Sequence, residues 1–196
     1  MTATLRRRQV VAILLQERKD LLLVAGLGST AWDITAAGDS PLSFPLWGAM
    51  GNAAMIGLGL ALAQPARRVL VITGDGEMLM GLGSLATIGV QQPRNLSVVV
   101  IDNERYGETG MQATHTASGV DLAKVALACG FGSARQVRES GELGALREAV
   151  HGAPGPHFAQ VKVVAEKLPL VLPPRDGGVL KSRFRKALLG EGADLD

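Results

Sequence analysis

Cysteine occurs once in the 196 residues, at position 129. A single thiol closes no internal disulfide, and its place in a run with helical spacing reads as a buried side chain. Aromatic residues make up 4% of the chain and histidines number three, so there is no Cys/His cluster of zinc-ligand spacing. An excess of one charge is missing as well: 20 basic residues stand against 18 acidic ones. Apart from Arg6, Arg7 and Arg8 and a group at 181–186, the basic residues scatter, which speaks against a nucleic-acid surface. Between Asp39 and Arg67 there is no charge of either sign. Gly48, Gly51, Gly57 and Gly59 interrupt the most apolar part of that stretch and Pro65 follows it, the pattern of a short central helix on a sheet rather than a membrane span. The basic start leads into an apolar run broken by Gln16, Glu17, Arg18 and Lys19, without a small-residue cleavage site. No signal peptide and no membrane partner are expected, and the expected location is the cytoplasm.

What is present is an alternation. Apolar, β-branched runs at 21–24, 69–73, 96–102, more weakly at 134–137, and at 159–164 predict strands. Segments with helical spacing lie at 10–17, 52–64, 78–91, 122–129 and 142–151. Strands separated by helices imply right-handed crossovers and an α/β fold with a doubly wound parallel sheet. The almost unbroken apolarity of 69–73 and 96–101 fits strands covered by helices on both faces. Residues 1–168 are read as one domain, and 169–196 as a tail with an extended, proline-containing linker and a short basic helix near 180–189. In such a sheet ligands bind beyond the carboxyl ends of the strands, so chemistry is to be sought just after each run.

Three places answer to that rule. After the first strand, residues 26–31 read Gly-Leu-Gly-Ser-Thr-Ala, a match to the dinucleotide fingerprint G-x-G-x-x-A. That reading needs an acidic residue about 20 positions further on, inside the uncharged stretch, and none is there. After the second, Gly74-Asp75-Gly76 puts a carboxylate between residues that allow a sharp turn and close approach to a ligand. After the third comes Asn103, 28 positions beyond Asp75. One strand–helix–strand unit brings those two ends together. A carboxylate and an amide oxygen suit Mg²⁺, which completes its octahedron with water and phosphate oxygens. Helix N-termini after Gly76 and Gly107 would offer N–H groups to that anion.

A Gly-Asp-Gly triplet followed by a closing Asn, here in Val-Ile-Asp-Asn-Glu-Arg-Tyr-Gly, resembles the Mg²⁺ and diphosphate signature of thiamine diphosphate-dependent enzymes. The resemblance spans roughly 5–165, and the stretch 106–116 is similar to the small subunits of sulfopyruvate decarboxylase and to phosphonopyruvate decarboxylases. It implies Asp75, Asn103 and the backbone carbonyl of Arg105 as metal ligands. It implies backbone contacts to the diphosphate from Gly28 and Ser29, from Gly76 and Glu77, and from Tyr106 and Gly107. It assigns Gly48, Ala49 and Met50 to a loop beneath the cofactor, where the Gly48 carbonyl accepts from the aminopyrimidine and Met50 wedges the two rings into a V. Two positions depart from the pattern. Met111 stands where a glycine is expected, and Glu77 adds negative charge where Ser is common, so either its side chain points away or substrate and cofactor details differ, and Glu77→Ser is expected to be tolerated or to improve binding.

The resemblance also implies what the chain lacks. In the family the glutamate that activates the aminopyrimidine comes from a separate pyrimidine-binding domain, for which 196 residues leave no room. An α subunit supplying that glutamate is therefore expected, in an α/β hetero-oligomer that decarboxylates a small 2-oxo acid. His115, in the loop after Asn103, is a candidate proton carrier or anion contact, and a solvated loop histidine is the plain alternative. Carboligation and a non-catalytic assembly role stay open as other readings of the same fold.

Overall fold

Successive side chains of the long central strands enter two separate buried clusters, one on each face of the sheet, in the computed structural model, which describes residues 4–194. In chain order the elements are α1 (Arg7–Leu14), β1 (Leu22–Ala25), α2 (Ser29–Ala36), β2 (Ser43–Pro45), α3 (Ala53–Ala63), β3 (Val69–Gly74), α4 (Asp75–Met80), α5 (Ser84–Gln91) and β4 (Leu96–Asp102). A hairpin of β5 (Arg105–Tyr106) and β6 (Gln112–Ala113) follows, then α6 (Leu122–Ala128), β7 (Ser133–Val137), α7 (Leu143–His151), β8 (His157–Lys162) and α8 (Gly177–Leu189). The main sheet has the order β2-β1-β3-β4-β8-β7 with every pair parallel, the doubly wound arrangement that the alternation predicts. Leu22, Val24, Val71, Val98 and Val100 face α3, α5 and α6, while Leu23, Leu70, Ile72, Val99 and Ile101 face α1, α2 and α7. Both faces are dry, which is why these strands are apolar at consecutive positions.

Three elements differ from the sequence expectations. β2 and α2 are not visible as periodic runs: β2 is a three-residue edge strand ending at Pro45, a position where the missing N–H costs no ladder bond. The single helix expected over 78–91 is two, broken between Met80 and Ser84, because Gly81 packs directly on the Gly51 backbone. A Cβ at Gly81 would lie 2.0 Å from the Gly51 oxygen, so the chain turns there to let the loop before α3 pass. The uncharged stretch resolves into β2, a loop and the eleven-residue α3, and among the described residues no helix is long and apolar enough to cross a membrane. Of the expected domain and tail, residues 1–3 and 195–196 lie outside the described residues. Beyond Val163, which bridges to Leu5, the chain runs without helix or strand to Asp176, whose side chain caps α8 by accepting from Gly178 N and Val179 N. Phe184 of α8 then packs on Phe44 of β2 with ring centroids 5.5 Å apart.

The strand order reverses between β1 and β3, and a crevice opens there at the carboxyl ends. The helix that closes this region, α3, reaches it through glycine. Gly57 lies so near β3 that a Cβ would meet Val71 Cγ2 at 2.1 Å. Helix propensity favours Ala over Gly by about 1 kcal/mol, but overpacking against a stiff, fully buried β-branched side chain costs about 1–3 kcal/mol. Gly57→Ala should therefore destabilise the chain. Adding Val71→Ala should cost less than the sum of the two single changes, as measured by urea unfolding.

Candidate active site

The end of β1, the end of β3 and the end of β4 each turn in a different way, and the differences place the polar groups. After Ala25 the chain passes through Gly28, at φ +71°, into α2, so Ser29 opens a helix whose first N–H groups are free. After β3 there is no loop: Gly74 is extended and Asp75 is already the first residue of α4. After β4 two consecutive side-chain turns fold the chain. Asp102 Oδ1 accepts from Glu104 N at 3.0 Å and Asn103 Oδ1 accepts from Arg105 N at 2.9 Å. Glu104 takes a left-handed φ of +61° between them, and the hairpin then carries Tyr106 back over α4. The ring lies so close to Gly76 that a Cβ there would come within 2.4 Å of it. Gly76 is thus required by the Tyr106 ring.

Asp75 is 2% exposed and Asp102 is fully buried. Thr114 Oγ1 donates to Asp75 Oδ2 at 2.6 Å, while Thr116 Oγ1 lies 3.3 Å from the same oxygen and 2.8 Å from Asp102 Oδ1. Lys162 compensates Asp102, at 2.8 Å from Oδ2, and Gln160 donates to the same oxygen at 2.6 Å. Burial by itself would lower the Lys162 pKa, but its bonds to Asp102 and Glu104 hold it above the ordinary lysine value. Asp75 has no cation among the described side chains. Burial first, and the Asp102 charge second, push its pKa up to about 6 against the opposing effect of the two threonines. With Oδ2 held by hydroxyls, Oδ1 is the oxygen left for a cation.

A cavity of about 180 Å³ opens on these groups. It brings together Ser29, Met50, Asp75, Gly76, Glu77, Asn103, Arg105, Tyr106 and Gly107, all singled out in the sequence. Gly28, Gly48 and Ala49 do not line it: Gly28 caps α2 beside it, and the other two lie in the chain just before Met50, with Ala49 at a left-handed φ of +59°. His115 is exposed, in a 3-10 turn (His115–Ser118), outside the cavity lining. The Arg105 guanidinium folds back on the Glu104 carbonyl at 2.9 Å. Met111 has φ +63°, which explains why a glycine is expected there. Glu77 departs from expectation in a different way. Its side chain is buried, accepts from Thr73 Oγ1 at 2.9 Å and lies against Gly26, yet it still borders the cavity.

Sequence reading missed the supports of the site. Arg7 lines the cavity, donates to the Ser29 carbonyl at 3.1 Å and forms a buried pair with Asp33, which Arg8 also contacts at 3.0 Å. Glu108 lies over Gly28, within 2.8 Å of where a Cβ would sit. Thr114, Thr116, Gln160 and Lys162 come from two further segments, and no local pattern marks them. The i, i+2 spacing of the threonines is the one trace in the sequence.

Residues 28–161 match the family described as thiamine pyrophosphate enzyme, C-terminal TPP binding domain. The β subunit of sulfopyruvate decarboxylase from Methanothermobacter thermautotrophicus is 38% identical over 90% of this chain and 91% of its own length. Phosphonopyruvate decarboxylase from Streptomyces hygroscopicus is 44% identical over 67% of this chain, which corresponds to 31% of that longer protein. Benzoylformate decarboxylase from Polynucleobacter necessarius superposes with a TM-score of 0.70 at 21% identity, covering 85% of this chain and 34% of that one, a likeness of fold. With its Gly-Asp-Gly turn at the switch point and a family match over more than half its length, the chain belongs to the thiamine pyrophosphate enzymes and carries their C-terminal cofactor-binding domain.

Proposed function

We propose that this chain is the diphosphate-binding subunit of a heteromeric, thiamine diphosphate- and Mg²⁺-dependent decarboxylase of small 2-oxo acids of the sulfopyruvate or phosphonopyruvate type. The observation that carries the reading is the pairing of Asp75 and Asn103 on one cavity, with Asp75 buried, uncompensated by a cationic side chain, and oriented by two threonines. Among the described residues no three His, Cys, Asp or Glu side chains converge as a metal site. One carboxylate, one amide oxygen and a backbone carbonyl make instead the sparse, all-oxygen set that suits Mg²⁺ bound together with phosphate. The naming of relatives as β subunits and the matching lengths support a partner chain.

In this reading Asp75, Asn103 and the Arg105 carbonyl hold the cation. The backbone of Gly28 and Ser29 at the start of α2, of Gly76 and Glu77 at the start of α4, and of Tyr106 and Gly107 in the hairpin turns toward the diphosphate. Gly48 accepts from the aminopyrimidine and Met50 supports the rings, beside Ala49. The cofactor, when bound, supplies the electron sink for loss of CO₂. The partner contributes the activating glutamate and the rest of the substrate pocket. His115, exposed here, is available to that shared surface as an anion contact or proton carrier.

Proton and cation compete for Asp75. A carboxyl raised from 3.8 to about 6 subtracts stability from the cation-free chain as pH rises through that window, and a cation restores it above. Mg²⁺ with thiamine diphosphate should therefore raise the melting midpoint more at pH 7.5 than at pH 5. Asp75→Ala should abolish the increment, and calorimetric titration with thiamine diphosphate should show weak binding when Mg²⁺ is withheld. Equal affinity with and without Mg²⁺ would remove the metal assignment.

Met50→Ala is expected to lower single-turnover decarboxylation by the assembled enzyme more than it lowers cofactor affinity, since the diphosphate supplies most of the anchoring. A large loss of binding with normal turnover at saturation would assign Met50 to the core instead.

The chain alone should release no CO₂ from sulfopyruvate, phosphonopyruvate or pyruvate, and should do so with its pyrimidine-binding partner. Turnover by the single chain would overturn the half-enzyme reading. An inactive pair that binds the cofactor would favour carboligation or an assembly role.

A further inference from the structure

Three acidic side chains, Asp75, Glu77 and Glu108, border the cavity that the cofactor reading fills with a diphosphate, and Mg²⁺ answers for only part of that negative charge. Two arginines border it as well. Arg105 folds back on the Glu104 carbonyl, and Arg7 is the buried one of the two. Arg7 opens α1 and is 4% exposed, a depth at which a cation is kept only with partners. Those partners do not use it up. Its bonds to the Ser29 carbonyl, at 3.1 Å, and to Asp33 both leave from Nη1. Nε and Nη2 donate to no group among the described residues, yet neither is a donor sealed away from solvent. Nor does Asp33 cancel the charge. It is fully buried and shared with Arg8, whose Nε lies 3.0 Å from Oδ1. Two guanidinium groups thus stand on one carboxylate, and one positive charge is left over beside the N-terminus of α2, where the helix dipole has the same sign.

This excess lies at one end of the cavity. A second cavity of about 250 Å³ shares Arg7, Ser29, Asn103, Gly107 and Glu108 with the first but includes neither Met50 nor Asp75. Arg7 therefore stands at the end away from Met50, the residue assigned to the rings. We infer that Arg7 is a phosphate-binding residue: its free N–H groups meet the terminal phosphate of the diphosphate while Nη1 holds the start of α2. A guanidinium is always charged and offers parallel donors to two phosphate oxygens. Glu108 also borders this end, lying over Gly28, but it is exposed and water screens its charge. The assignment rests on the cofactor reading above, and it adds a cationic side chain to diphosphate contacts that are otherwise all backbone.

Three variants separate the phosphate contact from the support of α2. Arg7→Met keeps the stem without the charge, Arg7→Lys keeps a charge without the fork, and Asp33→Asn loosens α1 from α2 while Arg7 stays charged. Each folded, full-length variant is titrated with Mg²⁺ plus thiamine diphosphate and with Mg²⁺ plus inorganic pyrophosphate. Losing hydrogen bonds to a charged group corresponds to roughly 10–100-fold in affinity, and Arg7→Met should weaken both ligands by that factor. Arg7→Lys should weaken both by less. At saturation with thiamine diphosphate, Arg7→Lys should also move the phosphorus-31 resonance of the terminal phosphate and leave that of the inner phosphate in place, a readout that still applies if Arg7→Met does not fold. Asp33→Asn should lower the melting midpoint without reproducing the loss of affinity. The inference fails if the Arg7 variants keep both affinities and both resonances, if only thiamine diphosphate binding falls and pyrophosphate binding does not, or if Asp33→Asn accounts for the whole loss. A wild-type chain that binds pyrophosphate through Arg7 but no thiamine diphosphate would remove the cofactor reading and keep the anion contact, whereas one that binds neither would remove both.

Discussion

Two carboxylates buried side by side set the terms for the rest of this molecule. Asp75, directly after β3, and Asp102, the last residue of the adjacent β4, share Thr116 as a bridge and are almost completely shielded from water. Removing charge from water at this depth costs several kcal/mol per group, roughly, unless an opposite charge stands close. Asp102 has Lys162. Asp75 has hydroxyls, which orient a charge but do not neutralise it. The site is therefore electrostatically incomplete as the chain stands, and a cation beside Asp75 and Asn103 would complete it.

The second constraint is closeness. Gly26, Gly76 and Gly81 each stand where a single added carbon would collide with Glu77, Tyr106 or the Gly51 backbone. These contacts pull the loops of the switch point into one another, so the groups that border the cavity are fixed by their neighbours rather than by their own loop sequence. The buried pair of Arg7 and Asp33 does the same from outside, tying α1 to the start of α2. Cofactor-binding loops are often the less stable parts of a fold. Here they are braced by buried charge and by backbone packing.

How much of this was legible depends on the range of the interaction responsible. The apolar runs at 69–73 and 96–102 announced β3 and β4 because a strand covered on both faces must be apolar throughout, a property each segment carries alone. The Gly-Asp-Gly turn and Asn103 were visible for a related reason: the crossover connection forces their ends together whatever lies elsewhere. β2 and α2 were not visible, since a three-residue edge strand and a helix rich in Ser and Thr have weak local signals, and their formation follows from pairing with β1 and packing under the sheet.

By itself, then, the sequence determined the parallel fold, the switch-point location and the meeting of Asp75 with Asn103 at one cavity, all consequences of local periodicity and chain connectivity. Only the tertiary structure decided that Thr114 and Thr116 orient Asp75, that Lys162 neutralises Asp102 and not Asp75, that His115 stands outside the cavity, and that the Glu77 carboxylate turns under Gly26. Those outcomes depend on which distant backbone comes within a hydrogen bond of each side chain. Spacing along the chain holds no information about that distance until the helices have packed.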